Sequence, residues 1–196
     1  MGRNTMNRLT FTMTFLGFIC LVFAPATTAG EELTADDYIE FWRPLAGVWK
    51  GVIESGGKSM DTLWRARLAR NQKCFVTYAT GGDTPALQTI DGYDPGTGKW
   101  TFAGFDADGS YRLATIEFAD MKKGKHLDKG VIGIFEMKKY SNDGKLTTSS
   151  SVMSCTEFAE DRIVLTWSDA KEDGKPVPDR KTVLKRQPER SRRTRR

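Results

Sequence analysis

The stretch LAGVWKGVIESGG, residues 45–57, places a Gly-x-Trp triplet at the start of a run in which side-chain character alternates. In an extended chain, Trp49 and Ile53 fall on one face, while Lys50 and Glu54 fall on the other. The charged face belongs in water, so the sequence predicts that Trp49 points into a core. The glycines that follow are typical of a tight turn.

The same period of two continues along most of the chain, interrupted by turn signals rich in Gly, Asn and Asp. We expect strands near residues 48–55, 60–69, 73–80, 86–93, 98–105, 110–118, 130–140, 146–158, 162–168 and 181–187. Two longer charged segments, 119–129 and 169–180, are predicted to be surface loops. A meander of this kind removes its exposed edges by closing. The predicted fold is therefore all-β, an up-and-down antiparallel barrel of about ten strands.

A short helix is predicted before the barrel, at residues 35–41. Thr34 can cap it, and Asp37 stands at the third helical position, as in a capping box. Pro44 then ends the helix. We expect this helix to close one end of the barrel.

The chain divides into a predicted signal peptide at 1–29, a barrel domain at 34–187 and an Arg-rich tail at 188–196. Arg3 and Arg8 precede an apolar stretch that is short for a membrane span, and small residues follow it. A retained N-terminal anchor is the alternative. The sequence therefore predicts an exported protein, periplasmic or extracellular.

The basic character of the chain belongs to its two ends. The whole sequence carries a net charge of +5, but without the predicted signal and residues 186–196 it has 22 basic and 24 acidic residues, a net charge of −2. No specific nucleic-acid partner is predicted for such a domain. The tail is either a solvated, disordered end or a weak contact for anionic surfaces. The oligomeric state is left open.

A resemblance to a known superfamily rests on Gly47, Trp49 and Arg186. Arg186 falls on the last strand in phase with the inward face, where its guanidinium can lie over the Trp49 ring. A short helix, Gly-x-Trp and a late Arg resemble the lipocalin and calycin pattern. The segment IDGYDPGTGKWTFAGFDADGSY, residues 90–111, resembles secreted bacterial lipocalin-like domains of unknown function related to nitrobindins. The resemblance covers residues 38–186 and implies a barrel whose end these three residues close.

Cofactor and metal chemistry find little support in the residues. Nitrobindins bind haem through a histidine late in the barrel, whereas the only histidine here is His126, in a lysine-rich loop. Tyr78 and Tyr93 are the other conceivable haem ligands, without positive support. The residues 106–110, DADGS, resemble the start of a calcium loop, but Tyr111 stands where that loop needs Gly. We therefore predict no cofactor and no metal.

Two cysteines, Cys74 and Cys155, remain after removal of the predicted signal. An exported protein can form one disulfide between them, and two buried free thiols are the alternative. Both belong to the same end of the meander, but five strands apart they would face each other across the barrel. A bond would require the barrel to be flattened there.

The aromatic residues offer the most direct indication of function, because several share the phase of the inward faces. They can fill a packed core or line a cavity. We predict a non-enzymatic binding protein for a small apolar or aromatic ligand; the alternatives are an envelope-associated interaction protein with a packed core and basic tail, or a barrel-interior enzyme. No catalytic residue is predicted, and the carboxylates considered are Asp91, Glu117 and Glu136. The candidate ligand-binding residues are Trp64, Tyr78, Tyr93, Trp100, Phe102, Phe135 and Trp167.

Overall fold

A computed structural model describes residues 33–81 and 84–188; the predicted signal peptide and residues 189–196 of the predicted tail lie outside the described residues. The chain opens with helix α1 (Ala35–Trp42), followed by a 3₁₀ turn (Arg43–Leu45). The backbone N–H and Oγ1 of Thr34 both donate to the Asp37 carboxylate, at 2.8 and 2.7 Å. The predicted capping interaction is therefore confirmed. Within the described residues, no helix combines the length and apolar character needed to span a membrane.

The rest of the described chain is strand and connection. The strands are β1 (Gly47–Ser55), β2 (Lys58–Leu68), β3 (Cys74–Gly81), β4 (Thr84–Asp94), β5 (Lys99–Asp106), β6 (Tyr111–Phe118), β7 (Gly130–Tyr140), β8 (Leu146–Phe158), β9 (Arg162–Glu172), β10 (Lys175–Pro176) and β11 (Arg180–Arg186). All pairings are antiparallel, and β1 to β9 each pair with the next strand in sequence. The ring closes because β11 pairs with both β9 and β1. The predicted ten-stranded antiparallel barrel is confirmed, with β10 as a short addition.

The prediction of a loop at residues 169–180 is wrong in part, because β9 continues to Glu172 and turns directly into β10. Asp173 and Gly174 form the turn with positive φ angles of 47° and 76°, the conformation that an Asp-Gly hairpin turn requires. The Asp173 carboxylate also accepts hydrogen bonds from the N–H and hydroxyl of Thr148, at 2.8 and 3.1 Å. Charged residues here belong to an exposed hairpin, so their polarity does not indicate a loop.

Helix α1 covers the end of the barrel at which β1 begins, named here the helix end. Tyr38 stacks on Tyr93 with ring centroids 4.4 Å apart, and Trp42 lies against Trp100 at 6.2 Å. Leu127, from the loop after β6, is fully buried and donates its N–H to the carbonyl of Phe41 at 2.9 Å. The opposite end, where β1 ends and β11 begins, carries the β1–β2 and β9–β10 turns and is named the hairpin end.

Candidate functional site

The barrel surrounds a cavity of about 500 Å³, a volume within the usual range of small-molecule sites. It reaches from Trp42 beneath the helix to the exposed residues Glu172 and Val177 at the hairpin end. Since inward positions recur at every second residue, almost every strand contributes to the lining. The large apolar side chains of the lining include Trp42, Trp64, Phe75, Trp100, Phe102, Phe135, Met137, Met153 and Trp167.

Five of the seven predicted aromatic residues line this cavity, and their role in ligand binding stays a prediction. They are Trp64, Trp100, Phe102, Phe135 and Trp167. Tyr93 packs against Tyr38 in the aromatic cluster of the helix end and is absent from the lining. It belongs to the closure of that end in this structure.

Tyr78 faces the outer surface, which corrects the expectation that it lies with the inward set. It is 37% exposed, and the guanidinium of Arg65 lies 6.0 Å from its ring centroid. The inward residues of β3 are Phe75, Thr77 and Ala79, all part of the cavity lining. Phe75 is thus an aromatic lining residue that the sequence analysis missed, although the period of two on β3 places it on the face opposite Tyr78.

At the helix end, the guanidinium carbon of Arg186 lies 4.2 Å from the Trp49 ring centroid. The two residues are opposite each other in the β1–β11 register. Each nitrogen of the Arg186 guanidinium also donates to a backbone carbonyl. Nε donates to Glu160 at 2.9 Å, Nη1 to Ala46 at 2.8 Å and Nη2 to Pro44 at 2.7 Å. All three guanidinium nitrogens are thus bound to the backbone around the start of β1 and the end of β8, and these contacts suit closure of the barrel end.

Gly47 is required where Arg186 crosses the start of β1. Its φ is +131°, and a Cβ at this position would meet Nη1 of Arg186 at 2.8 Å. Trp49, 1% exposed, donates its Nε1–H to the carbonyl of Leu45 at 2.9 Å. The Gly-x-Trp triplet therefore combines a close backbone approach with a satisfied, buried indole.

A second arginine–tryptophan pair lies at the hairpin end of the same strand. The guanidinium of Arg180 is 4.0 Å from the Trp167 ring centroid, and the two residues are opposite each other in the β9–β11 register. The Nε of Arg180 is buried without a hydrogen-bond partner. Burial, together with the nearby charge of Arg112, lowers the pKa of Arg180 to about 10, so the group remains charged at neutral pH.

Two further buried donors beside Arg180 have no partner within the described part of the chain. They are Nε1 of Trp167 and Oγ1 of Thr182. Thr182 follows Arg180 by two residues on β11, so the two side chains share the inward face. Both residues line the cavity together with Trp167. Three unsatisfied donors thus meet the same wall of the cavity at its hairpin end.

The sequence analysis missed Arg180, although the necessary pattern was present. Thr182, Leu184 and Arg186 alternate along β11 with Val183 and Lys185, and the same alternation two residues earlier reaches Arg180. The sequence predicts a strand that begins at residue 181 and a loop before it, so Arg180 falls outside the predicted strand. A charged residue at a strand's start is ordinarily solvated, so only the continued register could have indicated an inward guanidinium.

Two other cations near this end, Arg112 and Lys139, are paired with a carboxylate. Asp106, whose side chain is fully buried, accepts from Nε and Nη2 of Arg112 at 2.8 and 2.7 Å. Nζ of Lys139 lies 3.2 Å from the same oxygen. Asp106 thus forms ion pairs with both side chains, whereas no carboxylate of the described residues forms an ion pair with Arg180.

Asp91 is the one of the three candidate carboxylates that lines the cavity. Its Oδ2 accepts from Oγ1 of Thr77 at 2.5 Å, while Oδ1 is buried without a partner. Burial raises the pKa of Asp91 to about 6, because water no longer stabilises the ionised form. The side chains of Glu117 and Glu136 are 63% and 60% exposed and lie near Lys99 instead, so these carboxylates do not converge.

Both cysteines are free thiols, so the disulfide that the sequence left open is not formed in this structure. Cys155 is buried, and its thiol donates to the carbonyl of Glu157 at 3.3 Å. Burial raises the pKa of Cys155 to about 11. Cys74 lies on β3 and Cys155 on β8, consistent with a round barrel that keeps these strands apart.

The residues that would hold haem in a nitrobindin-like site do not meet at the cavity. His126 is exposed, and its Nδ1 lies 3.2 Å from the carbonyl of Glu40 at the helix end. Among the described residues, the lining contains neither histidine nor tyrosine. No group of three or more His, Cys, Asp or Glu side chains within residues 33–81 and 84–188 is arranged to hold a metal ion.

The closed antiparallel barrel with its short helix fits a lipocalin-like fold. The chain matches no protein-family profile, and no curated protein sequence matches it significantly. The barrel interior is therefore the basis for a functional assignment.

Proposed function

We propose that the protein is an exported, lipocalin-like binding protein that holds a small apolar or aromatic molecule inside its barrel. The observation that carries this proposal is the cavity of about 500 Å³ with its aromatic and aliphatic lining. The helix end is closed by packed aromatic residues, while the lining reaches exposed residues at the hairpin end. Within the described residues, a ligand therefore has a route of entry at the hairpin end and an apolar interior to occupy.

A space of this size is not explained by stability. Protein interiors are close-packed, and voids beyond the size of a water molecule are few, since each removes dispersion contacts and costs free energy. The barrel carries large side chains at the helix end but small ones, such as Ala79, Gly81 and Ala114, at other lining positions. Small residues at inward positions keep volume available, as expected when a ligand supplies the missing contacts.

The proposal is tested by filling the cavity from one strand and altering the outer surface of the same strand. Ala114 is buried in the lining on β6, whereas its neighbour Leu113 is 36% exposed. We expect N-phenyl-1-naphthylamine, a neutral fluorescent probe, to bind the purified protein and Leu113→Phe alike, and Ala114→Phe at least tenfold more weakly. Equal binding by both variants would place the probe outside the barrel and contradict the proposal. Native mass spectrometry with organic extraction then identifies what the protein carries from the cell.

A barrel-interior enzyme is a second candidate, favoured by Asp91. A carboxyl with a pKa of about 6 and an unpartnered oxygen in a cavity suits a general base near neutral pH. If the cavity catalyses a reaction, a compound extracted from the protein should be converted by fresh protein, and Asp91→Asn should abolish conversion while leaving binding intact. A compound recovered unchanged by mass spectrometry would support the binding function alone.

Export and contact with anionic surfaces complete the proposal. The predicted signal peptide supports export, and the six arginines among residues 186–196 support a weak, salt-sensitive contact with anionic surfaces. Fractionation of cells that express the chain with and without residues 188–196 tests both. An unprocessed chain in the cytoplasm would contradict export, and unchanged partitioning on removal of the tail would contradict the surface contact.

A further inference from the structure

We infer that the ligand of this cavity is an apolar molecule with a single carboxylate, and that Arg180, Trp167 and Thr182 bind this carboxylate at the hairpin end. The inference rests on the proposed binding function and names the chemical class of the ligand. Its basis is the group of three buried, unsatisfied donors on one wall of the cavity.

Unsatisfied buried donors are uncommon, and a group of them is more informative than any one. Most buried polar atoms in folded proteins have a hydrogen-bond partner, because desolvation without one costs free energy. Nε of Arg180, Nε1 of Trp167 and Oγ1 of Thr182 lack one, and two of these residues are directly opposite each other in the β9–β11 register. All three belong to residues that line the same wall of the cavity, so an electron-rich oxygen group bound there is the kind of partner that they lack.

The charge of the missing group follows from Arg180. A half-buried guanidinium with a buried, unpartnered Nε and no counter-ion is unfavourable, whereas one that donates to a carboxylate forms strong, charge-assisted hydrogen bonds. The Trp167 ring, 4.0 Å away, supports the guanidinium plane from one side. Arg112 and Lys139 add positive potential around the hairpin end while Asp106 compensates them only in part. A negatively charged head group is therefore favoured at this end.

Asp91 determines the orientation of the bound molecule within the barrel. It pairs with Phe102 in the β4–β5 register, four residues nearer the helix end than Asp106 on the same strand β5. Its carboxylate is ionised above a pH of about 6 and has no cationic partner among the described residues, so it repels a second anionic group deeper in the barrel. The ligand is therefore a monoanion that places its head beside Arg180 and its apolar part among Phe102, Phe135 and Trp100.

The experiment compares dodecanoate with dodecanol, which have the same chain and differ in the charged head. Titration calorimetry on the purified protein should show dodecanoate binding ten- to hundredfold more tightly than dodecanol. Arg180→Met should bring the two affinities within about threefold by weakening dodecanoate alone. The matched control is Arg65→Met, which removes an exposed arginine stacked on Tyr78 and should retain the full preference.

Two conservative variants keep the inference testable even where Arg180→Met fails to fold. Trp167→Phe and Thr182→Val each remove one of the unsatisfied donors and retain most of the side-chain volume, so each should weaken dodecanoate three- to tenfold and leave dodecanol unchanged. Equal affinities in the wild-type protein, or a preference that survives these variants, would overturn the inference and leave the binding function standing. If neither dodecanoate nor dodecanol binds, the proposed binding function itself is contradicted.

Discussion

The two ends of β11 carry the same pair of side chains with opposite hydrogen-bonding states. Arg186 lies over Trp49 at the helix end and donates to three backbone carbonyls. Arg180 lies over Trp167 at the hairpin end, and its buried Nε has no partner. Stacking on an indole is therefore common to both, and the available acceptors separate a closing contact from a candidate binding site.

The difference arises from the elements that surround each end. At the helix end, the 3₁₀ turn between α1 and β1 presents the carbonyls of Pro44 and Ala46 to Arg186. At the hairpin end, β1 finishes opposite Arg180 with Ser55, whose hydroxyl donates to Pro178 at 3.4 Å. No backbone carbonyl of the described residues accepts from Arg180 at this end, so its buried Nε stays without a partner.

Removal of Arg186 should give the largest loss of stability. Arg186→Met deletes three charge-assisted hydrogen bonds and leaves carbonyls of Pro44 and Ala46 without partners, at a cost of roughly 4 kcal/mol. For a domain of this size, the melting temperature should fall by roughly 8–16 °C. Thermal unfolding followed by circular dichroism measures the effect. Lys185→Met, the exposed neighbour on the same strand, should change stability by less than about 0.5 kcal/mol; equal losses in the two variants would show that Arg186 does not close the barrel.

Asp91 provides a pH-dependent test of buried charge in the cavity. Its pKa rises from 3.8 to about 6 on folding, so the folded state holds its proton more tightly than the unfolded state. Stability is therefore lost as pH rises from about 4 to 6 and stays lost above that range. Asp91→Asn removes this loss and keeps an acceptor for Thr77. The variant should match the wild type near pH 4 and exceed it by about 3 kcal/mol at pH 7.

Urea unfolding of both proteins between pH 4 and 8 measures that difference. The exposed Asp61 on β2 supplies the control, since Asp61→Asn alters a surface side chain and should leave the stability within about 0.5 kcal/mol of the wild type. A constant difference in stability between Asp91→Asn and the wild type across this pH range would mean that burial does not raise the pKa of Asp91.

Substitution of Gly47 tests the close approach between the start of β1 and Arg186 at the closed helix end of the barrel. Gly47→Ala places a Cβ 2.8 Å from Nη1 of Arg186 at a φ of +131°. The expected cost is about 2–3 kcal/mol, combining backbone strain with displacement of the arginine. Gly57→Ala is the matched control, because Gly57 also has a positive φ but its Cβ would meet no atom within 4 Å. The free energies of unfolding of the two variants, measured by denaturant titration, should differ by at least about 1 kcal/mol. Similar free energies would assign the whole cost to backbone strain.

Much of this architecture could be predicted because it follows from a period of two. The alternation in LAGVWKGVIESGG places Trp49 inward, and the same alternation on β11 brings Arg186 to it. Helix α1 follows from its capping residues, which act through local hydrogen bonds. The fold class, the Trp49–Arg186 contact and the helix start are therefore local properties that the sequence displays directly.

The cavity and its charged wall could not be predicted in the same way, since they depend on how ten strands close. Phase alone does not distinguish filled from empty space, because the volume between inward side chains depends on all strands together. The sequence pattern predicts a loop at Arg180, because strand ends are the least certain part of a pattern. Tyr78 lies within β3, where the alternation with Phe75 accounts for its outward position. The absence of acceptors around Arg180 becomes visible only when β9, β11 and β1 are in register.

Removal of Arg180 should give the smallest change in stability. We expect a gain, whereas Arg186→Met should give a loss. Arg180→Met retains an apolar side chain against Trp167 and removes an unpaired, half-buried charge, so the ligand-free protein should gain about 1 kcal/mol of stability. Melting curves without ligand should then rise by about 2–4 °C. With saturating dodecanoate, the wild type should gain stability through binding and Arg180→Met should gain little. A loss comparable with that of Arg186→Met would show that both ends of β11 are structural, because a guanidinium awaiting a ligand cannot stabilise the empty barrel.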